Sequence, residues 1–339
     1  MYDVMAIGNA LVDHEYVLSD AALEETGLTK GNMTLAELSE QQELLAFLAL
    51  AEIKSAKQAG GGSAANTMFA YASLGGKPFY ACRVGDDKPG QFYLQDLHQA
   101  GVATSDKSIY AGGVTGTCVV AITDDGERTM QTYLGTSSEI TADNVDFDAL
   151  TEANWLYIEG YLGMSASIQP AMAQLQQQAA AHDTKIAVSF ADPAVVKFAK
   201  DGLLNMLGNK VELIFCNSEE ARLFTGEEQI KATAQALLEH CQIAVVTDSA
   251  NGAVIAQKSD NDAQVTFYEV ATPKVADVID TNGAGDNYAG AFLYALAQGY
   301  SLPECGRLAS EVAAQIIQQF GPRLGSQHYK DFAHRVLSV

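Results

Sequence analysis

The segment Asp-Thr-Asn-Gly-Ala-Gly-Asp at 280–286 sets Gly283, Ala284 and Gly285 directly before the carboxylate of Asp286. Beyond it Tyr288, Phe292 and Ala295 recur at helical spacing, with Leu296 beside them, and Gly299 supplies a stop. The preceding VADVID, 275–280, reads as a short apolar strand. Small residues at such a helix start bare backbone N–H groups at the positive end of the helix dipole, which makes an anion site. A carboxylate fixed beside an anion site suits phosphoryl transfer. The plainer alternative is that the glycines permit a tight turn and Asp286 is an N-cap.

Other motifs weigh on that choice. GGGSAA at 60–65 satisfies the dinucleotide fingerprint formally, but the fingerprint needs a strand before it, and EIKSAKQA is too polar to read as a buried one. A P-loop pattern and a G-x-S-x-G elbow are both absent. NSEE at 217–220 follows the apolar run ELIF, so its polar groups belong at the carboxyl end of a strand. It serves equally well as the cap of a helix through EEARLF.

The elements that must position these groups alternate. Short apolar runs at 4–7, 79–84, 155–158, 186–190, 213–215 and 243–246 are separated by amphipathic stretches at 63–74, 91–100, 169–182 and 232–241. That order predicts a mostly parallel sheet covered on both faces, with ligands at the carboxyl ends of its strands. Residues 11–38 and 105–137 break the rhythm with strand-like alternation, including a hairpin that turns at Asp124–Asp125–Gly126. Both are read as a small sheet forming a lid over one large α/β domain that spans 1–339.

Composition narrows the partners. Forty-two acidic against 20 basic residues give 339 residues a formal charge of −22, which repels polyanions and argues against nucleic acid. A small anion such as ATP stays admissible, because local dipoles, a bound cation and a few placed basic side chains outweigh the global field. Five dispersed cysteines without C-x-x-C predict reduced thiols, and neither they nor the six scattered histidines form a zinc motif. The N-terminus lacks a signal-peptide pattern and no stretch reaches membrane-spanning length, so a cytoplasmic location is expected.

Together DTNGAGD at 280–286, GGSAAN at 61–66, NSEE at 217–220 and VVTDSANGA at 245–253 resemble the ribokinase family, also called PfkB carbohydrate kinases, in that family's order and over nearly the whole chain. GNALVD at 8–13, GTC at 116–118 and GERTM at 126–130 are most similar to the adenosine kinase subgroup. The resemblance implies a ribokinase-like three-layer α/β/α domain, with a mostly parallel sheet and a small β-sheet lid. It implies an ATP-dependent kinase that needs Mg²⁺ and phosphorylates a primary hydroxyl. Adenosine, converted to AMP, is the expected acceptor. A sugar kinase acting on ribose, fructose or a 2-keto-3-deoxygluconate type of acid is the rival, and a binding protein without catalysis is a further alternative.

The same resemblance distributes roles. Asp286 becomes the general base, expected to be only weakly basic at a helix N-terminus, and Gly283, Ala284 and Gly285 hold the phosphoryl oxygens. Asp13 takes ribose hydroxyls, with Gly62, Ser63 and Asn66 closing that face and Asn9 and Leu11 nearer the base. Cys118, Met130 and Leu134 cover a purine or are ordinary core. Arg128 swings in toward the γ-phosphate or is a solvated ion-pair partner of the acidic turn. Asn217 and Glu220 hold the magnesium hydration shell, Thr247 and Gly252 border the donor nucleotide, and Asp280 marks a monovalent-cation (K⁺) site that only some relatives use. Ser249 stands where the family has glycine, and Asn287–Tyr288 where it has Ala-Phe. Monomer and homodimer are both compatible with the sequence.

Overall fold

The alternating apolar runs become strands because both of their faces are covered, which is why ANWLYI at 153–158 carries almost no polar residue. The computed structural model describes residues 1–259 and 264–337. In chain order the strands are β1 (Tyr2–Ile7), β2 (Leu11–Val17), β3 (Met33–Leu35), β4 (Ser55–Gly61), β5 (Pro78–Ala81), β6 (Val84–Gly85), β7 (Ile109–Tyr110) and β8 (Thr115–Ile122). There follow β9 (Arg128–Gly135), β10 (Ala153–Ile158), β11 (Lys185–Ser189), β12 (Val211–Asn217), β13 (Cys241–Thr247), β14 (Ala253–Lys258) and β15 (Val265–Val270).

Eight strands form one sheet in the order β15-β14-β13-β12-β11-β10-β1-β5. It is parallel from β5 to β13 and antiparallel at the β14–β15 edge. Successive residues of β10 serve opposite faces: Tyr157 joins Met68, Phe215 and Phe292 in one core layer, while Leu156 and Ile158 join Leu175, Val188 and Phe224 in the other. This is the three-layer, mostly parallel architecture that the β/α alternation predicts.

A second sheet runs β3-β9-β8-β2-β4. Its β8–β9 hairpin turns at 124–126, where Gly126 N–H reaches Thr123 O at 2.8 Å. One face, through Tyr16, Val119 and Ala121, packs beneath Leu44 and Leu48 of the helix Leu38–Leu50. The other carries Cys118, Val120, Ile122 and Met130, and it also bears Asp13 and Glu15, which stand in register with Cys118 and Val120.

Four expectations need correction. VADVID is not a strand: the N–H groups of Ile279 and Asp280 both turn to one carbonyl, Ile317 O, at 2.7 and 3.3 Å, so no ladder forms. Ser55–Gly61 is a strand despite its polarity, because it is the edge of the small sheet and residues 55–58 are exposed. It runs antiparallel to β2, so GGGSAA has its strand but not the parallel unit that a dinucleotide site requires. The run 79–84 divides at Ala81, since Val84–Gly85 pairs with Ile109–Tyr110 instead. Cys241 opens β13 rather than closing the helix Ile230–Leu237.

Candidate active site

The helix Ala284–Ala297 begins at Gly283, whose φ of +74° and a Cβ that would lie 2.4 Å from Pro322 Cβ leave glycine as the only fit. Ala284 N–H turns back to Thr281 O, and the helical ladder resumes with Asn287 N–H to Gly283 O at 2.9 Å. The N–H groups of Gly285 and Asp286 therefore lie ahead of the ladder. A Cβ on Gly285 would meet nothing within 4 Å, so no packing demand explains that glycine. Open space before bare N–H groups is what an anion needs.

Asp286 is the third residue of this helix and caps nothing. Its carboxylate crosses to the helix Ser63–Ser73, accepting from Ser63 Oγ at 2.6 Å and Asn66 Nδ2 at 3.0 Å. Those two donors are three residues apart and so share one helix face. Burial pushes the Asp286 pKa above the ordinary carboxylate value, against Ser63, Asn66 and the charge of Arg323. The expectation of a weakly basic group at a helix N-terminus is thus reversed, because desolvation outweighs the donors. Ser63 and Asn66, expected on an acceptor's hydroxyls, hold Asp286 instead.

Asp13 reaches the same region from β2. A Cβ on Gly61 would stand 2.5 Å from its Oδ1, and Gly62, at φ +97°, turns the chain into the 63–73 helix. Burial lifts Asp13 to about 6, with Arg128 the strongest opposing charge. Cys118 and Met130 lie on the same sheet face, whereas Leu134 falls outside that cluster, in a groove with Leu35, Glu37 and Glu139. Burial pushes the Cys118 thiol up to about 12, which makes it an apolar contact rather than a nucleophile. Leu11 packs within the sheet, close enough to Gly116 that a Cβ there would lie 2.7 Å from its side chain.

The side chain of Asn9 is engaged within the protein. Its backbone N–H and Nδ2 both donate to Glu159 Oε1, at 3.2 and 3.0 Å, and its Oδ1 accepts from Ser137 at 3.1 Å. Glu159, unnoticed in the sequence, also accepts Ala64 N–H at 2.8 Å. One fully buried carboxylate therefore pins both the exit from β1 and the helix that carries Ser63 and Asn66. Burial raises Glu159 to about 7.

At the carboxyl ends of β12 and β13, Asn217 and Thr247 stand in register. Asn217 and Glu220 form a capping box: Asn217 Oδ1 accepts Glu220 N–H at 2.9 Å, and the Glu220 carboxylate accepts Asn217 N–H and Nδ2 at 2.9 and 2.7 Å. The capping alternative thus describes their geometry. Burial leaves Glu220 raised to about 7, held by neutral donors alone. Ser218 Oγ donates to Asp248 at 2.6 Å and ties this helix to the loop 248–252. There Ser249 takes φ +49°, a left-handed conformation that explains why glycine suits the position, and a Cβ on Gly252 would lie 2.1 Å from Val270 O.

Arg128 is neither solvated nor aimed at the glycines. Its guanidinium bonds Asp280 and lies 3.5 Å from Glu15, while the acidic turn is satisfied by Lys30, at 2.6 Å from Asp125. Asp280 further accepts Asn282 N–H at 3.0 Å and Gly321 N–H at 2.9 Å. A monovalent cation would meet a carboxylate already neutralised, so the residues at Asp280 do not fit K⁺ in this arrangement. Arg323 is the other residue that the sequence hid: its Nε donates to Asn66 Oδ1 at 3.0 Å.

A family model described as pfkB family carbohydrate kinase matches residues 29–328. Among solved structures, an adenosine kinase from Sinorhizobium meliloti is 33% identical with a TM-score of 0.85, covering 98% of this chain and 99% of that one. A probable sugar kinase protein from Rhizobium etli CFN 42 is 32% identical with a TM-score of 0.87, covering 100% and 99%. The adenosine kinase of Saccharomyces cerevisiae is 27% identical, over 96% of this chain and 97% of its own length.

Proposed function

The chain belongs to the pfkB family of carbohydrate kinases and is a phosphotransferase with an alcohol as acceptor, and from that premise we propose that it moves the γ-phosphoryl group of ATP onto the 5′-hydroxyl of adenosine. The observation that carries the nucleoside is the inner face of the small sheet, where Asp13 stands in register with Cys118 beside Val120 and Met130. A carboxylate suits ribose hydroxyls, and the apolar patch suits the flat face of a purine. A free sugar would use the first and leave the second idle.

In this reading Asp286 accepts the hydroxyl proton while Ser63 and Asn66 hold its carboxylate in place. Its raised pKa makes it a better acceptor than a solvated carboxylate, as a positioned base requires. The N–H groups at Gly285 and Asp286 would face the charge that develops on the phosphoryl oxygens, with Gly283 and Ala284 shaping the turn. Asn217 and Glu220 would hold the water shell of magnesium, whose charge would offset that of the phosphates; a buried carboxylate on neutral donors alone fits such a neighbour. Thr247 and Gly252 border the donor, and Arg128 would exchange Asp280 for phosphate when both substrates are present.

The small sheet then acts as a lid over the carboxyl ends of the large one, within a single domain. Among the described residues no helix is long and apolar enough to cross a membrane. A panel of nucleosides and sugars assayed with Mg-ATP for ADP release tests the proposal. Adenosine is expected to be the best acceptor. Turnover of ribose or a keto-deoxy sugar without adenosine would move the assignment to a sugar kinase.

A further inference from the structure

We infer that Arg323 is a positioning residue for the base: its guanidinium fixes the Asn66 amide so that the other end of that amide must donate to Asp286. This rests on the reading of Asp286 as the base. An amide has one acceptor end and one donor end. Arg323 Nε donates to Asn66 Oδ1 at 3.0 Å, which leaves Nδ2 for Asp286 Oδ2, also at 3.0 Å. Without the guanidinium the amide is free to turn over, and an oxygen would then face the carboxylate.

The guanidinium is itself held on every side. One nitrogen bonds Asp96 Oδ2 at 2.5 Å, its Cζ lies 4.7 Å from the centre of the Phe69 ring, and 9% of the side chain is exposed. β4 passes so close that a Cβ on Gly60 would lie 2.6 Å from Asp96 Oδ2 and 3.1 Å from Arg323 Nη1. The second terminal nitrogen is buried without a hydrogen-bond partner. An uncompensated donor is a cost that a purely structural strut would shed by becoming an apolar residue.

The backbone that delivers Arg323 is stapled to the helix that delivers Asp286. Asn287, where the resembling family has alanine, donates through Nδ2 to both Gly283 O and Pro322 O at 2.7 Å. Its Oδ1 accepts Tyr329 OH at 2.5 Å, and that hydroxyl accepts Leu324 N–H at 3.3 Å. Base, glycine turn and guanidinium thus form one rigid unit. The other titratable groups facing the pair are Asp13, Asp96, Glu159 and Glu220, with Tyr93, Tyr157, Tyr161 and Tyr329, phenols that burial keeps neutral.

The test is the pH profile of kcat at saturating Mg-ATP and acceptor, where Asp13 is covered. Arg323→Gln removes a charge that lowers the Asp286 pKa, so the acidic limb should move up. Turnover near neutrality should fall on the order of tenfold to a hundredfold. Arg323→Lys keeps charge but not the fork, so turnover should fall with the limb in place. In an Asn66→Ala background Arg323→Gln should add little further loss. A full additive loss of turnover in that double variant would make Arg323 only a strut and overturn the inference. Should Arg323→Gln not fold, Arg323→Lys, alone and in the Asn66→Ala background, still decides. Asp286→Asn separates the two readings: a normal rate there sinks the base itself, whereas an inactive Asp286→Asn beside a wild-type profile in Arg323→Gln sinks only the positioning role.

Discussion

Arg128 on β9 and Asp280 at the foot of the 284–297 helix form an ion pair with 9% and 4% of their side chains exposed, and it joins the small sheet to the glycine turn at 283–285. Breaking such a pair from one side leaves a buried charge with a poor partner, here Glu15 at 3.5 Å. Asp280→Ala should therefore cost about 3 kcal/mol of stability, read as a lower urea midpoint. An unchanged midpoint would mean that the pair does not hold the sheet in place.

Variants at Asp13 and Met130 test nucleoside against sugar. Met130→Asp puts a charge on the apolar patch, so kcat/KM for adenosine should drop far more than for any sugar the enzyme accepts. Asp13→Ala should weaken both classes alike, because each presents hydroxyls. Equal losses for both classes in Met130→Asp would return Met130 to the core.

Glu220→Gln tests the magnesium reading against capping. If the carboxylate faces the metal's water shell, the Mg²⁺ concentration for half-maximal activity should rise several-fold or more. A change in thermal stability alone would leave Glu220 as a cap and no more.

Glu159 and Glu220 titrate near 7 in the folded protein against an ordinary 4.5, so the folded state binds the extra protons. Their contribution is greatest below about pH 4.5 and is lost as pH rises to 7, which makes this part of the stability fall with pH. Asp13, at about 6, acts in the same direction over a narrower window. Urea midpoints taken from pH 5 to 8 should decline, and Glu159→Gln should shed its share of the slope whatever its offset. An unaltered slope would show that Glu159 is not coupled to folding.

Ser249 occupies φ +49°, where a side chain costs about 1–2 kcal/mol and glycine costs less. Ser249→Gly should stabilise by roughly 0.5–1 kcal/mol once the entropy of the unfolded glycine is subtracted. A lower urea midpoint would mean that the serine has a compensating contact in the loop.

Residue type and local spacing made much of this legible. Gly283 to Asp286 reads as an anion turn because its information is consecutive, and Asp13 reads as a site residue through GNALVD. The partners of those groups were hidden by distance along the chain. Nothing near Asn66 announces Arg323, and Glu159 in YIEGYL is a lone acid behind an apolar run. One signal was there to use: a carboxylate closing a strand of a parallel sheet sits at the ligand end. The strand Ser55–Gly61 escaped because an edge needs no apolar residues, and VADVID misled because apolar side chains also line irregular segments.

The pairing of β2 with β8 governs how the protein is made as well as how it works. Leu11 meets Gly61 early but has to wait for Gly116, and β1 meets β5 but has to wait for β10, so an emerging chain cannot close the small sheet when its first strand leaves the ribosome. The β8–β9 hairpin can form locally but then shows Cys118, Val120 and Ile122 to water until the rest of the fold buries them. Such non-local assembly is slow and leaves apolar surface open to wrong partners. The same face that would receive a purine in the finished enzyme is therefore the nascent chain's exposure to aggregation, and a nucleoside supplied during refolding should protect it.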